Sequence, residues 1–263
     1  MAWSLLLFRA AVAFYCLGFL SAFVPLLGGG RRALRLTPWL AAVGAGAHTV
    51  ALVALGFEQG RCPLGTLPEV LSALAWAAIL VYLGAAWWLR LEVLHVIIPP
   101  LVLVVLFISG LLPEPLVPVT AGMVSAVLRF HLMVIVLAVA ALFITFAASL
   151  VYLAIDRALK AKRPARFFLR LPSLERCDDV GRVSLLWAFP LLTLGIVTGA
   201  VVSAGTTGSP WTWQPRETLA ILAWGILGIV MAARLGWGWR GRNAAMLTLF
   251  GVAVLLVRMF GAS

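Results

Sequence analysis

The chain alternates between long apolar runs and short segments that carry most of its charged residues. Eight of these runs have the length, about 20 residues, that an α-helix needs to cross the hydrocarbon core of a bilayer. Pro99 and Pro100 kink the fourth run, so a re-entrant hairpin is an alternative there. Seven or nine spans are therefore alternatives to eight. The pattern predicts an all-α, polytopic integral membrane protein with about eight transmembrane helices. The predicted spans are residues 3–27, 38–57, 67–89, 94–112, 123–155, 183–205, 217–235 and 243–261.

The composition excludes a soluble globular protein. Hydrophobic residues make up 63% of the chain and charged residues only 11%, and the mean hydropathy is +1.10. A soluble domain carries about 25% charged residues. The net charge of +11 does not indicate nucleic-acid binding, because the basic residues lie in the gaps between apolar runs. Basic residues at such positions are typical of topology signals and of side chains that reach the membrane interface.

The distribution of basic residues predicts the orientation. The connections after the first, third, fifth and seventh runs hold most of the arginines and lysines, and the alternate connections hold few. By the positive-inside rule, the basic connections are cytoplasmic, so both termini face outward from the plasma (inner) membrane. The first run also has its basic residues after its apolar core, the reverse of a cleavable signal peptide.

We predict a single transmembrane domain over residues 1–263, with two notable connecting segments. Residues 156–182 form a basic cytoplasmic loop, which either lies on anionic lipid or binds a partner. Residues 206–216 form an outward tryptophan-rich loop. Gly195 and Gly199 in the sixth run indicate close helix packing. The three cysteines, Cys16, Cys62 and Cys177, lie too far apart in the predicted topology to suggest a disulfide framework.

The outward loop contains Trp211 and Trp213, separated by one residue, and Glu217 follows in the first turn of the next helix. Interfacial tryptophans commonly anchor a helix in the membrane. A proline and an acid at the start of a helix also favour a rigid helix N-terminus. The two tryptophans therefore serve either as membrane anchors or as an aromatic platform for a flat apolar ligand.

Three histidines fall within predicted spans, where an ionisable side chain suggests function. At a rise of 1.5 Å per residue, His48 lies about 15 Å from the start of the second span, near the midplane. His131 lies about 12 Å in from the outer end of the fifth span, so the two histidines could be close in depth. His95 is expected at the cytoplasmic edge as an interfacial side chain. A neutral imidazole is the usual axial ligand of haem iron, whereas zinc would need more ligands than the sequence offers. For His48 and His131, metal (haem iron) ligation and a hydrogen bond between helices remain alternatives.

Two arginines lie near these candidates. Arg129 and Arg216 are suited to forked hydrogen bonds with carboxylates such as haem propionates. They are equally suited to pairing with glutamates of the chain, which are Glu58, Glu69, Glu114 and Glu217. The sequence has no hydrolytic or phosphoryl-transfer motif and no paired carboxylates within a predicted span, and the acids Glu69 and Glu217 lie only in the first turns of their spans. These absences favour a carrier or assembly factor over an enzyme or a proton-coupled transporter.

The tryptophan-rich loop resembles that of the cytochrome c assembly family of membrane proteins, the haem-handling, CcsA-type family, in its shorter HemX-like branch. The family pattern is W-G-x-x-W-x-W-D-P-K-E-T with a further tryptophan downstream. Thr207 stands where the pattern has its first tryptophan, Gln214 where it has aspartate, and Arg216 where it has lysine. The matching residues are Gly208, Trp211, Trp213, Pro215, Glu217, Thr218 and Trp224.

Other segments are similar to the same family. Arg129-Phe130-His131 resembles its outward histidine at the start of a long helix, and His48 resembles a histidine in the second helix of the HemX-like branch. The resemblance implies non-covalent b-type haem, with His131 and His48 as candidate iron ligands. Family members that deliver haem have a second outward histidine near the C-terminal helices, but no histidine follows His131 here.

Two functions follow from this resemblance. The first is haem binding and presentation, or export, for attachment to apocytochrome c, together with a larger assembly protein. His131, Trp211 and Trp213 would then contact haem, and Arg129 or Arg216 would lie near its propionates. The alternative is a HemX-like regulatory or scaffolding membrane protein that binds a soluble partner through residues 156–182.

Overall fold

The computed structural model describes residues 2–25, 30, 33–89, 94–112, 126–161 and 173–260, and within these ranges all regular secondary structure is helical. Pro99 and Pro100 lie inside the fourth helix, which runs as one helix from Leu94 to Leu111. A short 3-10 turn, Ala33–Arg35, precedes the second helix. The eight α-helices are α1 (Ala2–Phe23), α2 (Thr37–Gln59), α3 (Leu67–Leu89), α4 (Leu94–Leu111), α5 (Ala126–Lys160), α6 (Leu174–Thr207), α7 (Pro215–Gly236) and α8 (Arg242–Phe260).

Seven of these helices, α1 to α7, are long and apolar enough to cross a membrane. The apolar part of α8 is shorter and covers Arg242–Leu255. Large apolar side chains cover the helix surfaces, including Trp87, which is 90% exposed, and Phe107, which is 68% exposed. Such surfaces are unfavourable in water and favourable against lipid tails. The fold prediction of an all-α, multi-pass membrane protein is confirmed.

The predicted basic loop at 156–182 includes helical residues at both ends. Helix α5 extends to Lys160, and α6 begins at Leu174, whereas the predicted sixth span begins at residue 183. The Ser173 hydroxyl accepts a hydrogen bond from the Arg176 amide at 3.3 Å and so caps the helix. Hydropathy put the boundary too late because the first turns of α6 are charged. Residues 162–172 lie outside the described residues.

The helices form two compact units, residues 1–124 and 125–263. In the first unit, α1 packs on α2 and α4, and α3 packs on both α2 and α4. Gly44 of α2 allows the closest of these approaches, because a Cβ there would lie 2.7 Å from Cε1 of Tyr15 in α1. The prediction of one domain over 1–263 concerns the whole chain and stays a prediction.

In the second unit, α5 packs on α6 and α8, and α7 packs on α6 and α8. Its core includes Leu142, Leu185, Leu192 and Leu227, all nearly inaccessible to solvent. Two glycines of α6 face α5: a Cβ at Gly195 would collide with the Ile135 side chain, and one at Gly199 would lie 3.1 Å from the His131 ring. The prediction that this G-x-x-x-G pair marks close helix packing is confirmed.

Candidate functional site

A cavity of about 300 Å³ lies in the second unit between α5, α6 and the α6–α7 loop. Leu132, Ile135 and Ile196 supply apolar walls. Polar groups from three parts of the chain converge on the same space. These polar lining residues are His131, Ser203, Thr206, Thr207, Thr212, Gln214 and Glu217, together with the indole of Trp211.

His131 lies one and a half turns into α5, and its ring rests against α6. Its Nδ1 atom is 3.0 Å from the Thr198 hydroxyl. The same hydroxyl donates to the carbonyl of Leu194, four residues earlier in α6, at 2.8 Å. Gly199 gives the ring this close position, because any side chain there would meet Cε1. The structure thus brings His131 and the tryptophan-rich loop to one cavity.

The two loop tryptophans occupy different environments. Trp211 lines the cavity, and its buried Nε1 has no hydrogen-bond partner among the described residues. Trp213 is 77% exposed and has a positive φ of 57°, which is uncommon for a residue other than glycine. Their ring centroids are 6.1 Å apart at an interplanar angle of 80°. The indoles therefore meet edge to face and do not form a flat platform together.

Glu217 determines the conformation of this loop. One carboxylate oxygen accepts the Thr212 backbone N–H at 2.8 Å, and the other accepts the Thr212 hydroxyl at 2.8 Å. The Ser209 hydroxyl adds a third bond by donating to the Trp211 carbonyl at 2.7 Å. Because Thr212 lies between the two tryptophans, Glu217 holds both indoles in place from the first turn of α7.

Replacing Glu217 with alanine is therefore expected to loosen the loop. It leaves the Thr212 N–H and hydroxyl without their carboxylate acceptor, so the loop loses the two hydrogen bonds that tie it to the first turn of α7. Hydrogen exchange of the loop amides in detergent should become faster, while exchange in the rest of α7 changes little. The matched control is Glu175→Ala, because Glu175 occupies the first turn of α6 with an exposed side chain. Equal protection of the loop in Glu217→Ala and the wild type would contradict this role.

His48 lies in the first unit and is completely buried. Its Nδ1 is 3.3 Å from the Tyr15 hydroxyl, and its Nε2 is 3.0 Å from the Ser72 hydroxyl. The interhelical hydrogen bond that the sequence left open is therefore present, and it links α1, α2 and α3. Iron ligation by His48 would require one of these two hydrogen bonds to break. The role of His48 as an iron ligand stays a prediction.

His95 is buried, whereas the sequence predicted an interfacial side chain. Its Nδ1 is 2.7 Å from the hydroxyl of Tyr82, and the two rings meet edge to face. Because α3 and α4 pack closely, a residue near the start of α4 faces the Tyr82 side chain, a contact that hydropathy does not reveal.

Of the two candidate arginines, Arg129 does not line the cavity. Arg129 is exposed in the first turn of α5, and Arg216 belongs to the first turn of α7, with its side chain outside the described residues. Of the glutamates considered as their partners, Glu69 instead forms a two-pronged ion pair with Arg61 at 2.7 and 2.8 Å. These hydrogen bonds raise the pKa of the Arg61 guanidinium. Glu58 accepts the Ser4 hydroxyl, and Glu114 lies outside the described residues.

Trp224, which matches the downstream tryptophan of the family pattern, has a packing role in this structure. Its ring stacks on Phe189 with centroids 5.7 Å apart, and its Nε1 donates to the Thr193 hydroxyl at 2.9 Å. It joins α7 to α6. It does not line the cavity.

Sequence reasoning missed a buried ion pair in the second unit. Arg234 of α7 donates to Asp178 of α6 at 3.0 Å, and the two side chains are only 3% and 9% exposed. The Gly241 amide lies 3.4 Å from the same carboxylate oxygen. The sequence assigned Asp178 to the loop at 156–182, whereas it lies in helix α6. The helix-capping signal of Ser173 followed by Glu175 would have corrected this assignment.

Comparison with known proteins identifies the family. A family model described as cytochrome C assembly protein matches residues 64–263. A cytochrome c biogenesis protein CcsA of Synechococcus sp. (strain CC9902) is 31% identical over 242 residues, covering 82% of this chain and 79% of the relative. The CcsA protein of Prochlorococcus marinus (strain MIT 9303) is 30% identical over 244 residues, covering 82% and 77%. That of Microcystis aeruginosa (strain NIES-843 / IAM M-2473) is 26% identical over 297 residues, covering 93% and 90%.

These matches extend well beyond the tryptophan-rich loop and include α3, α4 and the whole second unit. They give no support to the regulatory, HemX-like alternative. Within the ranges that the structure describes, no three His, Cys, Asp or Glu side chains lie close enough to hold a metal ion together. The chain is a multi-pass membrane protein in which a histidine and a tryptophan-rich loop line one cavity, and it belongs to the cytochrome c assembly protein family.

Proposed function

We propose that the protein binds haem in the cavity of the second unit and handles it as cargo during cytochrome c biogenesis. The single observation that carries this proposal is the convergence of His131 and Trp211 on one cavity that has both apolar walls and polar groups. The names of the relatives, cytochrome c biogenesis protein CcsA, support the same process.

The residues present suit haem in three respects. An imidazole is available as an axial iron ligand, and Leu132, Ile135 and Ile196 provide apolar walls for the tetrapyrrole. The Nε1–H of Trp211 is a buried donor without an acceptor among the described residues, and a haem propionate could accept its hydrogen bond. A volume of about 300 Å³ is at the lower end for small-molecule pockets, so we expect haem to be only partly enclosed.

In this proposal, the residues of the chain bind and orient haem rather than transform it. His131 ligates the iron, Trp211 and Trp213 cover the porphyrin, and Arg129 and Arg216 pair with the propionates near the loop. His48 remains a second candidate ligand, for non-covalent b-type haem within the membrane. The thioether chemistry uses the cysteines of the apocytochrome. The protein is accordingly an assembly factor rather than an enzyme.

We further propose the orientation and the partners. The tryptophan-rich loop faces outward, and residues 156–182 face the cytoplasm, as the arginine distribution favours. The membrane is the plasma (inner) membrane, and haem is presented to apocytochrome c in complex with a larger assembly protein. A haem bound beside an exposed Trp213 is reachable by such partners.

The decisive experiment is an absorption spectrum of the detergent-purified protein, oxidised and reduced, with haem quantified as its pyridine complex. We expect a Soret band at about one haem per chain in the wild type. Trp211→Phe keeps an aromatic ring but removes the orphaned N–H. A hydrogen bond to a charged group is worth about 1.5–3 kcal/mol, so we expect binding to weaken by about 10- to 100-fold.

Trp237→Phe is the control for a tryptophan-to-phenylalanine change outside the site, because Trp237 is exposed between α7 and α8 and does not line the cavity. It should bind haem like the wild type. A colourless wild-type protein, even after haem is added, would overturn the proposed function. Equal haem affinity in Trp211→Phe and Trp237→Phe would show that the Trp211 indole N–H does not contribute to haem binding.

A further inference from the structure

We propose that Thr198 is a positioning residue that fixes the tautomer of His131, so that Nε2 is the nitrogen with the lone pair for iron. This inference rests on the proposed function, because it names the second residue that prepares the same ligand. It concerns one hydroxyl group in α6 that neither the tryptophan-rich loop nor the family pattern includes.

The tautomer of His131 follows from where the single hydrogen of the Thr198 hydroxyl points. A hydroxyl has one hydrogen and can also accept. Its oxygen lies 2.8 Å from the Leu194 carbonyl, 3.2 Å from the Gly195 carbonyl and 3.0 Å from His131 Nδ1. Carbonyl oxygens can only accept. If the hydrogen pointed at His131, two oxygens would face each other at 2.8 Å with no hydrogen between them, which is repulsive.

The hydroxyl hydrogen therefore goes to the backbone of α6, and the oxygen accepts from His131. Nδ1 is then the protonated nitrogen of the ring. A neutral imidazole carries one N–H, so Nε2 has the lone pair. This is the form in which a histidine ligates a metal while its other nitrogen is held by a neighbouring acceptor.

Two other threonines show the same arrangement with partners whose direction is certain. Thr193 donates to the Phe189 carbonyl at 2.9 Å and accepts from the Trp224 indole at 2.9 Å. Thr49 donates to the Ala45 carbonyl at 2.8 Å and accepts from the Trp76 indole at 2.8 Å. An indole N–H can only donate. In both cases the threonine gives its hydrogen to its own helix and receives one from the neighbouring helix.

Gly199 completes this arrangement. A Cβ at this position would lie 3.1 Å from Cε1 of His131 and 3.6 Å from Nδ1. The glycine thus lets the Cε1 corner of the ring approach α6, which brings Nδ1 within reach of the Thr198 hydroxyl. Two neighbouring residues of α6 therefore supply the space and the acceptor.

The tautomer can be tested without haem. Protein labelled with ¹⁵N-histidine in detergent, at a pH where the rings are neutral, distinguishes protonated from unprotonated ring nitrogens by chemical shift. His131→Gln identifies the His131 signals by their loss. We expect a protonated Nδ1 in the wild type and in Thr198→Ser, and a mixture or an Nε2-protonated ring in Thr198→Val. A wild-type ring protonated on Nε2 would overturn the inference.

Haem titration and the reduction potential provide the second test. Loss of a second-shell partner typically lowers metal affinity by about 10- to 100-fold, so we expect this loss in Thr198→Val and recovery in Thr198→Ser. The haem midpoint potential should also shift in Thr198→Val and return to the wild-type value in Thr198→Ser, which restores the hydroxyl acceptor. Thr193→Val is the matched control, because it removes a hydroxyl with the same intrahelical bond one and a half turns away.

The outcomes separate the two proposals. Failure of the wild-type protein to bind haem would contradict the proposed function, and so would equal haem binding by the wild type and His131→Gln. In either case the NMR result still decides the tautomer. Haem bound through His131 with the same affinity and potential in Thr198→Val and the wild type contradicts the positioning role alone.

Discussion

Replacing His131 with alanine is expected to abolish stoichiometric haem binding and, in cells, cytochrome c maturation. His131 is the single histidine in the described part of the second unit, and the cavity offers no other nitrogen of the kind that ligates haem iron there. Removing a residue that hydrogen-bonds to a ligating histidine already lowers metal affinity by about 10- to 100-fold. Removing the ligating histidine itself should therefore lower haem affinity by more than about 100-fold. Pyridine haemochrome quantification and haem staining of c-type cytochromes measure the two effects.

His48→Ala is the comparison that makes this result informative. Both variants remove a hydrogen-bonded histidine from a helix interface, but His48 lies in the first unit, where Tyr15 and Ser72 hold both of its ring nitrogens. If His131 is the main ligand, His48→Ala keeps its Soret band. A band that persists in His131→Ala and disappears in His48→Ala would transfer the ligand role to His48.

The second large effect concerns stability rather than haem. Asp178→Ala is expected to destabilise the second unit by about 3–5 kcal/mol, because it leaves the Arg234 guanidinium buried without its counter-ion. Arg234 Nε is already buried with no hydrogen-bond partner among the described residues, so the group cannot tolerate a further loss. Thermal unfolding in detergent, followed by tryptophan fluorescence, should show a clearly lower midpoint.

Two variants serve as controls for this prediction. Asp156→Ala removes an acid from the Asp156–Lys160 pair of α5, in which Lys160 is 60% exposed, and exposed pairs contribute only about 0.3–0.5 kcal/mol. The double variant Asp178→Leu with Arg234→Met should regain much of the lost stability, because apolar replacement of a whole buried pair is often neutral. A stable Asp178→Ala protein, or an equally unstable double variant, would show that the ion pair is not the cause.

Hydropathy and charge predicted most of the fold because the bilayer restricts what a chain can do. Long apolar runs must become helices, since backbone groups in lipid have no water to bind. All eight predicted runs are helices in the structure. The start of α6 was missed because its first turns are charged, and only the cap at Ser173 reveals that Asp178 lies in a helix.

The candidate site was predictable in its residue types but not in its assembly. The sequence indicated His131, Trp211 and Glu217 separately, because each has chemistry that is unusual in its position. It could not show that Thr198 and Gly199 meet His131, because the contact depends on how α5 rotates against α6. It also could not separate Trp211 from Trp213, which differ in burial although their sequence settings are alike.

The division of the helices into two units has a consequence for biosynthesis. Every helix contact within the first unit uses residues that are synthesised before Ser125, so these helices can associate while the ribosome is still translating. His131 and Trp211 are 80 positions apart in the chain, a distance that translation at about 5–20 residues per second covers in about 4–16 s. For that interval the nascent chain contains the histidine without the loop that covers it. The proposed haem capture at the cavity can therefore begin only after the α6–α7 loop has been synthesised.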